Sequence, residues 1–227
     1  MAITGRRFKD DIFEQFARIG KAVASAKRIE LLDLLSQGER HVEALAEAAS
    51  LSLANASQHL QVLRATRLVE TEKSGVFVTY RLADPSVADF IRQLRLLAES
   101  RLAEVELATR SFAESGTGFD PTSRGELLRR VRKGEVTVLD VRPAEEFRAG
   151  HLPRALSVPL EELEIRMKNL PKDRQIVAYC RGPYCVMALE AVARLRERGF
   201  CAVRLDMGVV DWRAQGLPVE TVTVARV

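Results

Sequence analysis

The chain has 227 residues and a formal net charge of +4, and hydrophobic residues make up 47% of it. This length suits two domains of about 100 residues, each with its own core. Three cysteines are too few for a small secreted disulfide scaffold, and neither a signal peptide nor an apolar run of roughly 18 residues for a membrane helix is seen, so we expect a cytoplasmic protein.

The positive charge lies in the second half of the chain. Residues 1–114 carry 16 Lys and Arg against 16 Asp and Glu, whereas residues 115–227 carry 19 against 15. The excess therefore fits an anionic small substrate at least as well as DNA. DNA binding must be argued from the pattern of residues instead.

The first part of the chain is predicted to be helical. Apolar residues recur there at three- and four-residue spacing, which is typical of helices packed on a core. The turn Ser50-Leu51-Ser52 separates the last two helices. The predicted helices are Phe8–Ile19, Ser25–Ser36, His41–Ala49 and Leu53–Ala65.

A β-hairpin is predicted after these helices. The segments Leu68–Glu72 and Val76–Leu82 alternate around Lys73-Ser74-Gly75, with the glycine at the turn. Two helices joined by a short turn and followed by a hairpin are the order expected of a winged helix-turn-helix.

The helix Leu53–Ala65 carries polar side chains on the face opposite a predicted buried stripe of Leu53, Leu60 and Leu63. Hydroxyl and amide side chains can reach phosphates and base edges. Any surface helix also has a polar face, so periodicity alone leaves DNA reading and simple solvation both open.

A long helix is predicted from Asp84, an N-cap followed by Pro85, to about Ala113. Its apolar stripe either packs on its own domain or forms a dimer seam. We favour the seam, because one domain of this size offers too little core to cover a helix this long.

Residues 115–122 are rich in Gly, Ser and Pro and are predicted to link a domain at 1–114 to a domain at 123–227. Beyond them, a Ser-x-x-Glu capping box at Ser123–Glu126 opens a helix to about Lys133. Strands then alternate with helices, which predicts an α/β domain with a largely parallel sheet. The strands are Val136–Val141, Gln175–Tyr179 and Ala202–Leu205, and the helices are Ala144–Ala149, Leu160–Asn169 and Val186–Arg198.

The loop from Cys180 to Cys185 lies between a strand and a helix. Backbone N–H groups in such a loop converge on one point, and the positive end of the helix dipole further favours a thiolate there. We predict Cys180 as the nucleophile, with Arg181 adding positive charge, and Cys201 as a core residue. The loop residues Gly182, Pro183, Tyr184 and Val186 are predicted to bind the substrate.

The segment SLANASQHLQVLR at 52–64, with Leu68-Val69 and GVFVTYRL at 75–82, resembles the ArsR/SmtB family of homodimeric bacterial repressors. Arg67 stands where that family usually has glycine. Relatives bind metals through Cys or His, but this half has no cysteine and only His41 and His59, so we expect no metal or other cofactor. The resemblance implies that Ser52, Asn55, Ser57, Gln58, His59 and Arg64 face the major groove and that Lys73 and Arg81 lie on or near the wing.

The segment VLDVRPAEEFRAGHLPRA at 138–155, with VAYCR at 177–181 and GVVDW at 208–212, resembles the rhodanese family. The resemblance implies that Cys180 accepts sulfane sulfur as a persulfide. Cys185 departs from the family, which commonly has Arg or Lys there. It either attacks a persulfide on Cys180 or packs against the helix. The resemblance also implies structural roles for Asp140, Arg142, Glu146 and His151.

Three functions remain open on the sequence. The first is a homodimeric repressor that binds a double-stranded DNA operator and responds to thiosulfate, polysulfide or a persulfide at Cys180, with weak sulfurtransferase activity as a secondary property. The second is a sulfurtransferase enzyme with an accessory DNA-binding domain. The third is a repressor that responds to As(III) or Sb(III) through the loop thiolates, with Cys201 as a possible third ligand.

Overall fold

The structure is a computed structural model that describes residues 5–75, 77–114 and 124–222. The chain divides into two compact units, Met1–Ile91 and Arg92–Val227. This division falls within the helix that follows the wing. The predicted linker at 115–122 lies outside the described residues, so the domain boundaries drawn from the sequence stay a prediction.

The first unit opens with four helices packed on one core. Leucines at helical spacing supply most of that core, and Leu31, Leu60 and Leu63 are completely buried in it. The Ser52 hydroxyl accepts a hydrogen bond from the backbone N–H of Asn55 at 3.3 Å, which caps the fourth helix. The four predicted helices are confirmed as α1 (Gly5–Val23), α2 (Ala26–Ser36), α3 (Val42–Ala48) and α4 (Leu53–Ala65).

Arg67 ends the turn after α4 in a left-handed backbone conformation, with φ of 58°. A side chain at positive φ is strained, whereas glycine adopts this region freely. The structure therefore explains why glycine suits this position in the ArsR family and shows that this chain tolerates arginine in the same conformation.

The predicted hairpin is confirmed as an antiparallel wing. Strands β2 (Val69–Ser74) and β3 (Phe77–Leu82) pair along their full length, and β1 (Arg40–His41) adds to β3 in the order β1-β3-β2. Gly75 takes a φ of 61° at the turn, which a side chain would strain.

The single long helix predicted from 84 to 113 is wrong. The structure has two helices, α5 (Pro85–Arg101) and α6 (Ala103–Glu114), interrupted at Leu102, and nothing in the local sequence explains the interruption. The predicted N-cap is confirmed, because the Asp84 carboxylate accepts a hydrogen bond from the backbone N–H of Ser86 at 2.8 Å.

The second unit contains a four-stranded parallel sheet in the order β5-β4-β6-β7. The winged helix and this α/β domain confirm the fold class predicted from the sequence. The predicted helix at 160–169 is a short α-helix flanked by 3₁₀ turns at Leu160–Glu162 and Met167–Asn169. The elements are α7 (Arg124–Lys133), β4 (Thr137–Asp140), α8 (Ala144–Ala149), β5 (Leu156–Ser157), α9 (Leu163–Arg166), β6 (Ile176–Tyr179), α10 (Met187–Glu197), β7 (Ala202–Arg204) and α11 (Val209–Ala214).

Strand β6 is central in this sheet and buried on both faces. Ile176 and Ala178 pack in a core cluster with α10, whereas Val177 and Tyr179 pack in a second cluster with Trp212. Because the strands are parallel, their carboxyl ends meet at one edge of the sheet, where ligand sites of α/β folds form. The Cys180 loop follows β6 at this edge.

A buried polar network lies beneath that edge. Arg142, fully buried, donates from Nε to Asp140 at 2.9 Å and from Nη2 to the Gly150 carbonyl at 2.7 Å. The Tyr179 hydroxyl also donates to Asp140, and His151 Nδ1 lies 2.8 Å from the Phe147 carbonyl oxygen. The structural roles predicted for Asp140, Arg142, Glu146 and His151 are confirmed by their burial and hydrogen bonds.

We predict that Arg142→Met lowers the free energy of unfolding of the second unit by about 3–5 kcal/mol, because it leaves buried carboxylates without their cation. Trp212 is the single tryptophan of the chain and lies in this unit's core, so its fluorescence during urea unfolding measures the change. The matched control is Arg148→Met, whose exposed partner Glu145 needs no compensation. Equal losses in both variants would contradict the prediction.

Candidate functional site

Helix α4 presents most of the residues predicted to read DNA. Asn55, Gln58 and Arg64 are exposed, whereas Ser57 and His59 are half-buried. Ser52 is exposed at the start of the helix, although its hydroxyl also caps α4. A polar, solvent-facing helix preceded by a tight turn is the arrangement in which a recognition helix enters the major groove.

The predicted buried stripe of α4 is partly wrong. Leu60 and Leu63 are buried, but Leu53 is exposed and Ala56 takes its place in the stripe. Leu53 lies in the first turn of the helix, where the backbone is capped by Ser52 and the side chain lies outside the core. Leu53 and the half-exposed Val62 therefore add apolar surface to the polar face.

The two predicted wing residues differ in their surroundings. Lys73 is exposed near the tip of β2. The Arg81 guanidinium on β3 lies 2.8 Å from the carboxylate of Glu70, which faces it across the hairpin. Arg81 therefore has a carboxylate partner already, whereas Lys73 extends into solvent.

The thiol loop, which we define as residues 180–186, connects the end of β6 to the start of α10. Cys180 is only 1% exposed, and its Sγ donates a hydrogen bond to the Cys185 carbonyl oxygen at 3.4 Å. Cys185 is half-buried and packs against the same core cluster. A bond from the Cys185 N–H to the Gly182 carbonyl at 3.2 Å closes the loop into a tight turn.

The pKa values of the two thiols are shifted in opposite directions. A hydrogen bond from the Cys180 thiol, the backbone N–H groups of Arg181 and Met187 and the charge of Arg181 lower the pKa of Cys185 to about 6, against the opposing effect of burial. The same hydrogen bond and burial raise the pKa of Cys180 well above its ordinary value. Loss of one proton is therefore easy and loss of the second is costly, because it would place two negative charges together.

Arg181 is oriented by a buried carboxylate. Its guanidinium lies against Glu146, with Nη2 2.8 Å from Oε1 and Nε 3.1 Å from the same oxygen. Glu146 also lies 3.8 Å from the guanidinium of Arg142, which joins the loop to the buried network. The positive charge predicted at Arg181 is thus present, but it is shared with Glu146.

Two positions that support the loop were not singled out from the sequence. A Cβ at Gly208 would lie 2.0 Å from the Arg181 carbonyl oxygen, so only glycine fits there. Arg204, on β7, donates to the Pro183 carbonyl at 3.0 Å. The glycine of the GVVDW segment could have indicated the role of Gly208. No local sequence feature indicated the role of Arg204.

The outer side of the thiol loop is exposed. Tyr184 and Val186 are each about half exposed, and the Tyr184 hydroxyl donates to Glu99 at 2.9 Å. Gly182 and Pro183 are half-buried. The expectation that Cys201 is a core residue is wrong: it is exposed, because it precedes β7 and points away from the clusters that cover the sheet.

Residues 5–75, 77–114 and 124–222 contain neither a metal-binding cluster nor a membrane-spanning helix. Within these ranges, His, Cys, Asp and Glu nowhere gather in groups of three or more that could hold a metal ion. Likewise, none of the helices described is long and apolar enough to cross a membrane.

Two family models match the chain. The model of the bacterial regulatory protein, arsR family, matches residues 25–71, which include α3 and α4. The rhodanese-like domain model matches residues 123–215, which include the thiol loop.

Three known proteins are similar to the chain. The HTH-type transcriptional regulator Rv0324 of Mycobacterium tuberculosis is 46% identical over 212 residues, which cover 93% of each chain. A sulfurtransferase of Allochromatium vinosum is 36% identical over 86 residues, covering 37% of this chain and 78% of that protein. The solved homodimeric winged helix-turn-helix DNA-binding domain of Mb0332 from Mycobacterium bovis is 41% identical, covering 45% of this chain and 94% of that one with a TM-score of 0.41.

The similarity to Rv0324 extends through both units, and the two family models match the parts of the chain that fold as a winged helix and as a parallel α/β domain. The chain therefore belongs to the ArsR family of bacterial regulatory proteins, in a form that carries a rhodanese-like domain.

Proposed function

We propose that this transcriptional regulator is a repressor that binds an operator through α4 and the wing and releases it when sulfane sulfur modifies the thiol loop. The observation that supports this most is the Cys180–Cys185 pair, two thiols with opposite pKa shifts in a loop at the start of a helix. All three cysteines of the chain lie at 180 or beyond, outside the DNA-reading helix and wing. A sulfur signal would therefore enter through the rhodanese-like domain.

The chemistry needs no group beyond the two thiols and a sulfur donor. Cys180 gives its proton to the Cys185 thiolate as its sulfur attacks the sulfane sulfur of thiosulfate, the S–S bond breaks, and sulfite leaves with the electron pair. Backbone N–H groups of Gly182 and Ala188 face Cys180 and would stabilise the resulting persulfide anion. The Cys185 thiol then attacks Cys180 Sγ, the S–S bond of the persulfide breaks, and the outer sulfur leaves as hydrosulfide with the Cys185 proton, which leaves a disulfide.

The DNA-binding form is proposed to be a homodimer. Helix α1 exposes Phe8, Phe13 and Phe16 at helical spacing, and Leu97 of α5 and Leu107 of α6 are exposed as well. Exposed aromatic residues grouped on one helix, as on α1, usually mark an interface in a stable protein. A second copy of the chain would cover them and present two α4 helices to an operator.

We predict that the double variant Phe13→Glu/Phe16→Glu is monomeric in light scattering at concentrations where the unmodified chain is a dimer, because charges cannot be buried without partners. The monomer should also bind DNA at least about tenfold more weakly, since one recognition helix is lost from each complex. Ile165→Glu, on the exposed side of α9, is the control and should stay dimeric. If the double variant is still a dimer, α1 is not part of the dimer interface.

For the regulatory role, we predict that polysulfide weakens binding of the full-length protein to a DNA site selected from a random library by about tenfold or more, within the usual range of allosteric coupling. Cys180→Ser should bind the same DNA with unchanged affinity and lose the response, because it cannot form the persulfide. Fluorescence anisotropy measures both affinities, and mass spectrometry of the 180–185 peptide identifies the modification.

The control for that experiment is Cys201→Ser, which removes an exposed thiol outside the thiol loop and should respond as the unmodified protein does. A full response in Cys180→Ser would show that Cys180 is not the sulfur acceptor. If the DNA affinity of the unmodified protein does not change with polysulfide, the protein does not sense sulfane sulfur.

A second candidate function is a sulfurtransferase, favoured by the similarity to the Allochromatium vinosum protein of that name. We predict slow thiocyanate formation from thiosulfate and cyanide, with kcat below about 1 s⁻¹ against a median near 10 s⁻¹ for enzymes, because a thiol stands at 185 instead of a cation. Cys180→Ala should abolish it. Turnover at or above the median would favour the enzyme over the sensor.

A further inference from the structure

Helix α5 contributes three charged side chains to the surroundings of the thiol loop. Arg92, Arg95 and Glu99 lie three and four residues apart, so they share one face of the helix. All three belong to the compact unit that begins at Arg92. They lie outside residues 123–215, the range that matches the rhodanese-like domain model.

The two arginines bind Asp211, at the start of α11. Arg92 Nε lies 3.3 Å from the Asp211 carboxylate, and Arg95 contacts the same oxygen more closely. The Asp211 side chain is only 9% exposed, so its charge is largely removed from water. A carboxylate in that position needs its cations, because a buried charge without a partner costs far more than a surface pair contributes.

Glu99 connects the same helix to the thiol loop directly. It accepts a hydrogen bond from the Tyr184 hydroxyl at 2.9 Å and lies 3.3 Å from Arg95. Burial, together with this carboxylate, raises the pKa of Tyr184, so the phenol stays a donor. Tyr184 is the immediate neighbour of Cys185, so one peptide bond separates the contact with α5 from a reacting thiol.

The thiol loop lies directly against the residue that precedes α11. A Cβ on Gly208 would lie 2.0 Å from the Arg181 carbonyl oxygen, and Asp211 follows Gly208 by three residues. A shift of the loop therefore displaces Asp211, and a shift of Asp211 displaces the loop. Both contacts with α5, through Tyr184 and through Asp211, respond to the same movement.

Modification of Cys180 demands such a movement. The thiol is 1% exposed in a core cluster, so the added sulfur atom of a persulfide must be accommodated among packed side chains. A disulfide to Cys185 would instead draw the two Cβ atoms to within about 4.5 Å and fix the dihedral angle between them. Either product changes the backbone next to Tyr184.

We propose that Arg95 and Glu99 of α5 are positioning residues of the thiol loop, and that sulfur modification of the loop changes α5 through Tyr184 and Asp211. The second part of this proposal rests on the proposed sulfur-responsive repressor. Residues 85–91 of α5 belong to the first compact unit and residues 92–101 to the second, so one helix contributes to both. Because coupling is reciprocal, changes in α5 must also alter the chemistry of the thiols.

The test uses the full-length variants Glu99→Ala, Tyr184→Phe and the double variant. The first readout is the rate of alkylation of Cys180 and Cys185 by iodoacetamide as a function of pH. In the unmodified protein the rate should rise with a midpoint near pH 6, where Cys185 loses its proton. Each single variant should shift the plateau rate by about threefold or more, and the double variant should match the singles because both remove one contact.

The second readout is the ratio of DNA affinities before and after polysulfide, which should fall toward one in the same variants. Glu104→Ala, an exposed position on α6, is the matched control and should change neither readout. Thermal unfolding followed by Trp212 fluorescence checks that every variant is folded.

The outcomes separate the two proposals. Unchanged alkylation profiles together with an unchanged DNA response would overturn the role of α5 and leave the sulfur-responsive repressor intact. If the unmodified protein shows no DNA response, the proposed function fails, and the alkylation profiles still decide whether Glu99 and Tyr184 position the thiols.

Discussion

The ion pair between Glu146 and Arg181 is the contact that joins the core of the rhodanese-like domain to its reactive loop. Glu146 is almost fully buried and lies between two guanidinium groups, that of Arg142 in the core and that of Arg181 in the loop. Arg142 in turn pairs with Asp140 at the end of β4. The orientation of the loop therefore depends on a continuous chain of charges that begins inside the sheet, and a loop held in this way keeps its backbone N–H groups aimed at the thiols.

The pairing of the thiols gives the site a chemistry that one cysteine could not have. A lone buried thiol would be difficult to ionise, because burial disfavours the charged form. Here the S–H group of Cys180 and the amides around Cys185 stabilise one negative charge, and the pair behaves as a monoanion at neutral pH. A regulator needs a modification that occurs once and then persists. This arrangement suits such a modification better than it suits rapid transfer of sulfur to a second substrate.

The sequence was sufficient for features that depend on local periodicity and on recognisable segments. The four helices, the wing, the parallel sheet and the position of Cys180 between β6 and α10 follow from these, and the structure confirms them. Leu53 and Cys201 were wrongly predicted to be buried. Burial depends on which side of a helix or strand the rest of the fold covers, and the apolar character of a residue does not specify that side. Arg95, Glu99 and Asp211 could not be found, because more than a hundred positions separate α5 from α11 in the sequence and no local pattern records their meeting.

Gly208 has a consequence for how this domain can vary. Any side chain at that position would collide with the backbone of Arg181. The backbone just before α11 and the backbone of the thiol loop are therefore in direct contact. A substitution that moves either segment must be matched by a change in the other. The two segments are therefore sterically coupled, and a loop transplanted from another rhodanese-like protein would fit here only together with a matching residue at position 208.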